Sequence, residues 1–339
     1  MSVTLRQVAE LAGVSIRTVS NVVNDFEHVA PQTRARVQTA VDALGYRPNT
    51  AARSLRTGRT GLIGLVVPAL DQPYFAELAC AVVREATAAG FTLVVDQTDG
   101  DPERERDLLR RRPRGAMFDG LILSPLSLVD RDLSEADGGR PLVLLGERMV
   151  ASTVDHVHID NVRAAQEATD HLISLGRTRV AAIGLQRAPS GQTAHQRTEG
   201  MMTALADAGL PAHPSLLRYV EAYDRTSGYQ EMLALLDGRT LPDAVFCFND
   251  MLAVGALRAC FERGVEVPEQ VAIIGFDDVE ETRFTTPSLS TVHPDKTEIA
   301  RAAVARLVSR IEGAIDDVRD ITVGHELVAR ESTQGRSGR

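Results

Sequence analysis

The sequence predicts an α/β protein in which a small all-α N-terminal segment precedes a larger body with two doubly wound parallel sheets. Three observations support this fold class. Residues 1–60 show only helical periodicity, whereas from Gly61 onward near-continuous apolar runs alternate with helical patterns, which is typical of strands buried on both faces of a parallel sheet. A length of 339 residues suits a small domain plus a two-lobed one.

The first two helices are marked by their capping residues. Thr4, with Gln7 three residues later, predicts a capping box at the start of the first helix, and Gly13 predicts its end. Ser15 caps a second helix two residues further on. Two short helices that are joined by a glycine-containing turn and followed by a third helix form a helix-turn-helix.

The second and third helices each have an apolar face. In the second helix Val19, Val22 and Val23 form that face, and the opposite, polar face carries Arg17, Ser20, Asn21 and Asn24. The third helix begins near Pro31, a favoured first helical residue, and ends at Gly45. Its buried positions are predicted to be Val37, Ala40, Val41 and Leu44.

In a helix-turn-helix the second helix lies in the major groove of DNA and its N-terminal residues contact bases. The candidates for that contact are Ile16, Arg17 and Asn21. Arginine can bind guanine through two parallel hydrogen bonds, and an apolar side chain can contact a thymine methyl group. The alternative is a small three-helix packing module whose polar face is only solvated.

The distribution of charge favours DNA binding over that alternative. The net charge of −9 by itself argues against a nucleic-acid partner. Residues 1–60, however, contain eight arginines and four acidic residues, so this segment carries +4 and the rest of the chain carries −13. A basic head on an acidic body is expected when only the head contacts phosphates.

The body alternates strands and helices along its length. Strands are predicted for the runs LIGLVV, FTLVVD, DGLILS, PLVLLG, HVHID, RVAAIG, AVFCFND and VAIIGFDD. Helices are predicted over 75–89, 102–112, 161–175, 194–208, 227–236 and 250–263. Sheets built from repeated βαβ units bind ligands beyond the carboxyl ends of their strands.

These units contain no recognisable catalytic motif. The sequence lacks a P-loop, a GxGxxG segment that opens a helix, GxSxG and HExxH, so we expect neither an enzyme nor a cofactor. His156 and His158 alternate on one strand and could point the same way. Two histidines without a third ligand are more often structural, and no metal is expected.

The sequence predicts a cytoplasmic protein without a membrane partner. No apolar run approaches the ~18 residues that span a bilayer, and the N-terminal residues lack the basic and apolar regions of an export signal. Cys80, Cys247 and Cys260 lie in apolar stretches without metal-ligand spacing. They are predicted to be buried free thiols, which fits a reducing compartment.

The N-terminal part of the chain resembles a known family. The runs TLRQVAELAGVSIRTVSNVVN and TRARVQTAVDALGYRPNTAARSLRTGRTGLIGLVVP are similar to the head of the LacI/GalR family of bacterial repressors, without a gap over residues 4–68. The resemblance implies a DNA-binding domain at 1–48 and a hinge helix with a linker at 49–60. One departure is Ala30, where family members usually have a serine N-cap, and it should weaken the third helix by ~1 kcal/mol.

The hinge is predicted to be helical only when something supports it, because the segment 49–57 is too short for a stable isolated helix. The resemblance implies that two hinges, one per subunit, pack in the minor groove of the operator. Leu55 matches a leucine that wedges between base steps there, and Ala52 matches a small residue that lets the hinges approach. The alternative is a linker whose leucine packs on the body.

The complete set of expected DNA-binding residues covers the capped helices, the end of the third helix and the hinge. It comprises Thr4, Ser15, Ile16, Arg17, Thr18, Ser20, Asn21, Asn24, Tyr46, Asn49, Ala52, Leu55 and Arg56.

The body also resembles this family, whose sensor domain is periplasmic-binding-protein-like in fold. The matching segments are DQPYFAEL, DPERERDLL, DGLILSP, HVHIDN, RTEG, TSGYQ, FNDMLAVGAL, VPEQVAIIGFDD and PSLSTVHPD. The resemblance implies an effector-binding and dimerisation domain at 61–333 and a polar tail at 334–339. The lobes are expected at about 61–160 plus 292–321 and at about 161–290 plus 322–333.

The resemblance places a small effector, a sugar or sugar derivative, in the cleft between the lobes. Tyr74 and Phe75 match aromatic residues that lie against the ligand ring, and Tyr223 matches an aromatic residue that stacks on it. Sugars have apolar C–H faces that suit aromatic rings. Tyr74 and Phe75 could instead belong to the core at a helix start.

The same resemblance implies a polar set in the cleft. Arg197 matches a cleft arginine, and Asn249 and Asp277 match a pair that binds ligand hydroxyls. Asp277 could instead cap a loop. The neighbouring candidates are Asp71, Gln72 and Glu147.

Two further features limit what the resemblance implies. Some relatives have an aspartate at the end of the PLVLLG strand, where this chain has Gly146 followed by Glu147, so no specific sugar can be transferred. The tail lacks the leucine heptads of a tetrameric member, so a homodimer is expected. Lys296 is the only lysine, and the sequence assigns no function to it.

The expected function is a repressor of a carbohydrate-utilisation operon, which binds a pseudo-palindromic operator and responds to the effector. One alternative is a solute-binding protein or sensor without DNA function, which the basic head and the lack of an export signal oppose. The other is an enzyme on a doubly wound fold, which the lack of catalytic motifs opposes, although fold alone does not determine function.

Overall fold

The structure is a computed structural model of the chain. It describes residues 3–23, 26, 28–46, 59–110, 118–128, 132–133, 141–146, 154–187, 192–314 and 317–335. The chain divides into an N-terminal unit, residues 1–61, and a body, residues 62–339.

The N-terminal unit contains the three predicted helices. They are α1 (Leu5–Ala12), α2 (Ile16–Val23) and α3 (Pro31–Leu44). The capping box of Thr4 and Gln7 is present, and both Gly13 and Gly45 adopt the left-handed conformation that ends a helix. Their core is a single cluster built around Val8, Val19 and Val37, as the periodicity predicts.

The body contains two six-stranded sheets, which confirms the predicted α/β class. The strands are β1 (Leu62–Val67), β2 (Thr92–Gln97), β3 (Gly120–Leu123), β4 (Leu142–Leu145), β5 (Asp155–Ile159), β6 (Val180–Leu185), β7 (Leu217–Tyr219), β8 (Ala244–Cys247), β9 (Ala272–Phe276), β10 (Ser290–Pro294), β11 (Asp320–Val323) and β12 (His325–Val328). The first sheet has the order β11-β5-β4-β3-β1-β2 and is parallel throughout. The second has the order β12-β10-β9-β8-β6-β7, in which β12 alone is antiparallel to its neighbour.

Helices connect these strands. They are α4 (Pro73–Ala88), α5 (Pro102–Arg110), α6 (Asn161–Ser174), α7 (Gln192–Asp207), α8 (Arg225–Leu236), α9 (Asp250–Arg263), α10 (Lys296–Ile311) and α11 (Glu331–Gln334), with 3-10 turns at Pro214–Leu216 and Glu280–Arg283. None of the helices in the described ranges is both long and apolar enough to cross a bilayer.

The chain passes between the two sheets at three places within the described residues. It leaves the first sheet after β5, returns to it after β10, and leaves it again where β11 is followed by β12. The return lies between Pro294 and Lys296, a few residues after the boundary expected near 292. We propose that the sheets with their helices are the two lobes.

The sequence pattern does not predict the strands β7, β10, β11 and β12 or the helices α10 and α11. The strands β7, β11 and β12 are short or half-exposed, and polar residues interrupt the buried strand β10, so all four lack the continuous apolar run that predicts the other strands. The expectation of three buried thiols was wrong for one of them. Cys247 and Cys260 are buried, but Cys80 is exposed, because it lies on the outer side of α4.

Helix packing in the body depends on glycines that permit backbone contact. A Cβ atom on Gly200 of α7 would lie 2.0 Å from the carbonyl oxygen of Val162 in α6. A Cβ on Gly255 of α9 would lie equally close to the carbonyl oxygen of Arg225 in α8. The two helix pairs, α6 with α7 and α8 with α9, therefore approach at backbone distance.

Candidate DNA-binding surface and effector cleft

The N-terminal end of α2 presents the residues expected to read bases. The Ser15 hydroxyl accepts a hydrogen bond from the backbone N–H of Thr18 at 3.1 Å and so caps the helix. Ile16 is 44% exposed and Arg17 is exposed, whereas Val19 is buried in the head core. A large apolar side chain beside a solvated guanidinium at a helix start is the combination that major-groove contacts use.

The remaining head candidates have structural contacts as well. Thr4 forms the cap of α1, and Tyr46 packs against the head core. Thr18, Ser20 and Asn21 are half-buried along α2. The candidates that lie outside the described residues are Asn24, Asn49, Ala52, Leu55 and Arg56.

The body contains a cleft of about 1130 Å³ between its two sheets. Pro68, Ser124 and Gly146 line it from just beyond β1, β3 and β4, and Gln186 and Asp277 line it from just beyond β6 and β9. The cleft therefore lies at the carboxyl ends of the strands of both sheets, where open α/β sheets bind ligands.

Seven residues expected to bind the effector line this cleft. They are Asp71, Tyr74, Phe75, Arg197, Tyr223, Asn249 and Asp277, and Gln72 lies beside them. Glu147 lies outside the described residues. The structure thus brings together side chains that are up to about two hundred positions apart in the chain.

Arg197 is held in place from three sides. Its Nε donates to Oδ1 of Asn161 at 2.7 Å, its guanidinium also donates to the carbonyl oxygen of Phe248, and the guanidinium lies 3.5 Å from the ring centre of Phe276. Only 5% of the residue is exposed. A guanidinium that is fixed before a ligand arrives loses little conformational entropy on binding.

Asn249 and Tyr223 are linked to each other and to the backbone. Oδ1 of Asn249 caps α9 by accepting from the Leu252 N–H at 2.9 Å, and its Nδ2 donates to the carbonyl oxygen of Tyr223 at 3.3 Å. The Tyr223 hydroxyl donates to the carbonyl oxygen of Gly184 at 2.7 Å. Asn249 therefore has two structural roles that the sequence did not indicate. It caps α9, and it orients the backbone at Tyr223.

Asp277 has an uncommon backbone conformation, with φ of +115°. Asp278 follows with φ of +46° and is 7% exposed. Its carboxylate accepts from Arg330 at 2.6 Å and lies 2.9 Å from Nδ1 of His293. Burial opposes the charge of Asp278, but these two partners outweigh it and hold its pKa well below the ordinary value. The anchored Asp278 fixes the backbone that presents Asp277 to the cleft.

A buried carboxyl group lies behind Asp277. Asp250 is fully buried, accepts a hydrogen bond from the Thr291 hydroxyl at 2.6 Å, and accepts another from the Val279 N–H at 3.0 Å. Burial, reinforced by the charge of Asp277, raises the pKa of Asp250 well above the ordinary value. Asp250 is thus a structural group behind the cleft wall.

The only lysine links helix α4 to the segment that follows β9. Nζ of Lys296 lies 3.0 Å from Oε2 of Glu77 on α4 and donates to the carbonyl oxygen of Asp278 at 3.1 Å. Oε1 of Glu77 accepts from the Glu280 N–H at 2.8 Å. Glu77 of α4 thereby contacts the start of α10 through Lys296 and the segment after β9 through the Glu280 N–H.

Several cleft residues were missed by sequence reasoning. Gln97, Ser124, His158 and Phe276 line the cleft, and Asn161 orients Arg197. All five lie at or near the carboxyl end of a predicted strand, so that position was the available signal; Asn161 lies two residues after the end of β5.

Comparison with family models places both parts of the chain. Residues 4–49 match the model described as bacterial regulatory proteins, lacI family. Residues 169–333 match the periplasmic binding protein-like domain.

Whole-chain relatives agree with these matches. The HTH-type transcriptional repressor PurR of Haemophilus influenzae strain PittEE is 34% identical over 98% of both chains. A solved structure of a LacI family transcriptional regulator from Sanguibacter keddieii is 46% identical, with a TM-score of 0.75, and covers 82% of this chain and 100% of its own. The transcriptional regulator CelR in complex with cellobiose is 31% identical, with a TM-score of 0.71, over 97% of this chain and 99% of its own.

The relatives are transcriptional regulators, which agrees with the expectation that the chain is not an enzyme. Together with the helix-turn-helix head and the two-sheet body, they confirm the resemblance read from the sequence. The chain is a DNA-binding transcriptional repressor and belongs to the lacI family of bacterial regulatory proteins.

Proposed function

We propose that the chain is a homodimeric, cytoplasmic repressor of a carbohydrate-utilisation operon. It binds a pseudo-palindromic operator through α2 of each subunit, and a sugar or sugar derivative bound in the cleft controls its operator affinity. The observation that carries this proposal is the cleft itself, where aromatic rings and fixed hydrogen-bonding groups line one cavity at the strand ends of both sheets.

The composition of the cleft wall supports a sugar-like effector. Tyr74, Phe75 and Tyr223 offer ring faces to apolar C–H groups, while Arg197 and Asp277 offer a donor and an acceptor to hydroxyls. CelR, which is similar over nearly the whole chain, was solved with cellobiose. A volume of about 1130 Å³ is large enough for a disaccharide.

An exposed face of α4 supports the homodimer. Ala76, Cys80 and Val83 are exposed at helical spacing on this face. Phe284, which is 77% exposed, lines a shallow groove together with Pro73 and Ala76. Glu77, Glu280 and Glu281 also line the groove, so its apolar part is formed by Pro73, Ala76 and Phe284. An exposed apolar face of this kind marks an interaction surface, and a second copy of the chain is the partner that the proposed two-fold operator requires.

The proposed link between the cleft and the operator runs through residues 49–57, which lie outside the described residues. A ligand that favours one arrangement of the lobes changes the separation of the two hinges and with it the affinity for DNA. Linkage is reciprocal, so operator DNA must change the effector affinity by the same factor.

Selection of binding sites from random DNA duplexes tests the operator side. We expect a pseudo-palindrome with two half-sites, because a two-fold dimer presents two copies of α2. Recovery of a single asymmetric half-site would contradict the dimer. Loss of affinity with increasing salt checks that the basic head binds phosphates.

Thermal-shift screening of the purified protein tests the effector side. A ligand that binds only the native state raises the melting temperature, so carbohydrates should do so and nucleobases should not. Nucleobases are the informative contrast because they can also stack on aromatic rings. A shift with nucleobases alone would contradict the sugar proposal and leave the DNA-binding function intact.

A further inference from the structure

A cluster of three potential metal ligands lies at the edge of the first sheet. His156 and His158 of β5 are joined by Asp320 of β11, and their ligand atoms lie within 4.8 Å of one another. The parallel register pairs His156 with Asp320 and His158 with Thr322, so all four side chains project from the same face of the sheet. Asp320 is the third ligand that the sequence around the two histidines lacks.

The backbone decides which nitrogen of each histidine carries its proton. Nε2 of His156 contacts the carbonyl oxygen of Gly146, and Nδ1 of His158 lies 3.1 Å from the carbonyl oxygen of Ile159. A carbonyl oxygen can only accept, so both nitrogens are donors. In the neutral imidazoles, Nδ1 of His156 and Nε2 of His158 therefore carry lone pairs.

These two lone pairs face one carboxylate oxygen. Oδ1 of Asp320 lies 2.9 Å from Nδ1 of His156 and 3.0 Å from Nε2 of His158. The hydroxyl of Thr322 lies 3.3 Å from the same Nε2 and can donate to it. Three electron-pair donors at these distances repel one another unless a positive charge lies among them.

We propose that His156, His158 and Asp320 bind a divalent transition-metal ion of the zinc class. Two imidazoles and a carboxylate suit that class, and Zn²⁺ is bound at about 2.0–2.2 Å by such ligands. A proton on Nδ1 of His156 satisfies only that contact with Asp320 and leaves Nε2 of His158 to the Thr322 hydroxyl at 3.3 Å, whereas a metal ion joins all three ligands together. Three protein ligands leave a further coordination position for water or another oxygen donor.

The surroundings match those of protein metal sites. Metal-ligating histidines usually donate their other N–H to a backbone carbonyl or a carboxylate, as both histidines do here. Their side chains are only 10% and 20% exposed, while the Asp320 side chain is 69% exposed. The pocket is thus formed by the buried strand and is accessible to an ion from the edge strand. The nearly parallel imidazole rings, with centroids 4.6 Å apart, must turn when the ion binds.

The position of the site suggests what the ion does. His158 and Gly146 line the effector cleft, and β11 leads directly to β12 in the other sheet. An ion that joins β11 to β5 therefore stabilises the sheet edge next to a crossing between the sheets. We expect the metal to raise the melting temperature of the protein as any native-state ligand does.

The test uses the full-length protein, free of affinity-tag histidines, with Zn²⁺ and Co²⁺ as probes. We expect one zinc ion per chain at about 10 µM zinc, a higher melting temperature with zinc than with Mg²⁺, and visible d–d absorption from bound cobalt. His158→Gln and Asp320→Asn should each weaken zinc binding at least tenfold, since even outer partners of metal sites act on that scale. His195→Gln, an exposed histidine on α7, is the matched control and should bind zinc like the wild type.

The results of these measurements distinguish a metal site from a cluster in which the two imidazoles are satisfied by protons. Both ligand variants replace partly exposed side chains by neutral ones of similar shape, so folding is checked by their melting temperatures without metal. Absence of zinc binding in the wild type, or equal binding by the wild type and both ligand variants, overturns the proposal. Protons and the Thr322 hydroxyl would then be what satisfies the two imidazoles.

Discussion

At the scale of single residues, the cleft is organised before any ligand enters it. Arg197 is fixed by Asn161 and by the ring of Phe276, and Asp277 is presented by a neighbour that is anchored to Arg330. Groups held in this way bind without the entropy loss of ordering free side chains. Because Arg197 is almost completely buried in this arrangement, its substitution would also disturb the fold.

Arg17 is the residue expected to give sequence preference. We predict that Arg17→Ala lowers operator affinity by ~1–3 kcal/mol and relaxes the preference at one G·C pair in each half-site, because a bidentate contact to guanine is lost. The measurement is affinity for operators with single substitutions. Arg36→Ala, which removes the same charge from the exposed side of α3, serves as the control. An equal loss of affinity on every sequence would make Arg17 a phosphate contact only.

Asp277 is the residue that we expect to couple binding of the effector to the change in operator affinity. We predict that Asp277→Asn leaves operator affinity without effector unchanged but weakens effector binding tenfold or more, since a charged hydrogen-bond acceptor is lost. Asparagine is chosen because it tolerates positive φ. The readout is operator affinity with and without the sugar found by screening, and Asp207→Asn at the exposed end of α7 is the control. A wild-type response in the Asp277 variant would remove this residue from the site.

At the scale of secondary-structure elements, helix capping stabilises single helix ends, and glycines let neighbouring helices pack closely. The cap of α1 is complete, whereas Ala30, the N-cap residue of α3, provides no side-chain hydrogen bond. In the body, Gly200 permits α7 to contact the backbone of α6 near Val162. These features have different physical origins, and each can be tested by one substitution.

We predict that Ala30→Ser stabilises the start of α3 by ~1 kcal/mol, because a serine hydroxyl can accept from a free N–H of the first turn. Amide hydrogen exchange of Thr33 should slow by about fivefold, which corresponds to that energy. Ala35→Ser, exposed within the same helix, should not slow it. Faster exchange in the Ala30 variant would contradict the capping explanation.

The glycine of the RTEG segment tests the packing of the body. We predict that Gly200→Ala destabilises the protein by ~1–3 kcal/mol, because the added Cβ would lie 2.0 Å from the Val162 carbonyl oxygen. The melting temperature should fall by several degrees. Gly324→Ala places its Cβ in open space and should have little effect. An unchanged melting temperature at Gly200 would show that α6 and α7 separate without cost.

At the scale of the whole molecule, a buried ionic group holds α10 and the segment that precedes β11 to the first sheet. Asp155 of β5 is fully buried and accepts hydrogen bonds from Arg306 at 2.8 Å, Arg310 at 2.9 Å and the Arg319 N–H at 2.9 Å. Burial disfavours its charge, but these hydrogen bonds outweigh burial and keep its pKa below the ordinary carboxyl value.

This arrangement predicts how stability depends on pH. A carboxyl group whose pKa is lower in the folded state stabilises the fold above its ordinary pKa, and the contribution is lost as the pH falls below about 4. Asp155 and Asp278 both belong to this class. We predict that the free energy of unfolding decreases as the pH falls from about 5 to 3.

The variant Asp155→Asn isolates one of these groups. Removal of one partner from a buried ion pair costs ~3–5 kcal/mol, so urea unfolding at pH 7 should show a loss of that size and a weaker dependence on acid pH. Glu326→Gln, at an exposed carboxyl on β12, is the control and should change neither quantity. Equal acid sensitivity in the wild type and the Asp155 variant would contradict this account.

Local sequence patterns determined the elements and the family. The caps at Thr4 and Ser15, the glycine stops and the apolar runs of the body are short-range features, and each is present in the structure. On the predicted polar face of α2, Arg17 is exposed, Ser20 and Asn21 are half-buried, and Asn24 lies outside the described residues. The same kind of feature carried the resemblance to repressors, because the head motif is continuous in the chain. The strands β11 and β12 near the C-terminus were missed because they are half-exposed and lack a continuous apolar run, although they are as long as β3, β4 and β8, which the sequence predicts.

Only the tertiary structure decided which distant residues meet. Asp320 reaches His156 because β11 pairs with β5, Glu77 reaches Lys296 across more than two hundred residues, and Arg197 of α7 meets Phe276 of β9. No local period encodes such contacts, since they depend on strand order and on where the chain crosses between the sheets. The sequence therefore determined that this protein is a DNA-binding repressor and predicted that it binds an effector, while pairing of the strands determined which side chains line the cleft, because chain topology brings those side chains together.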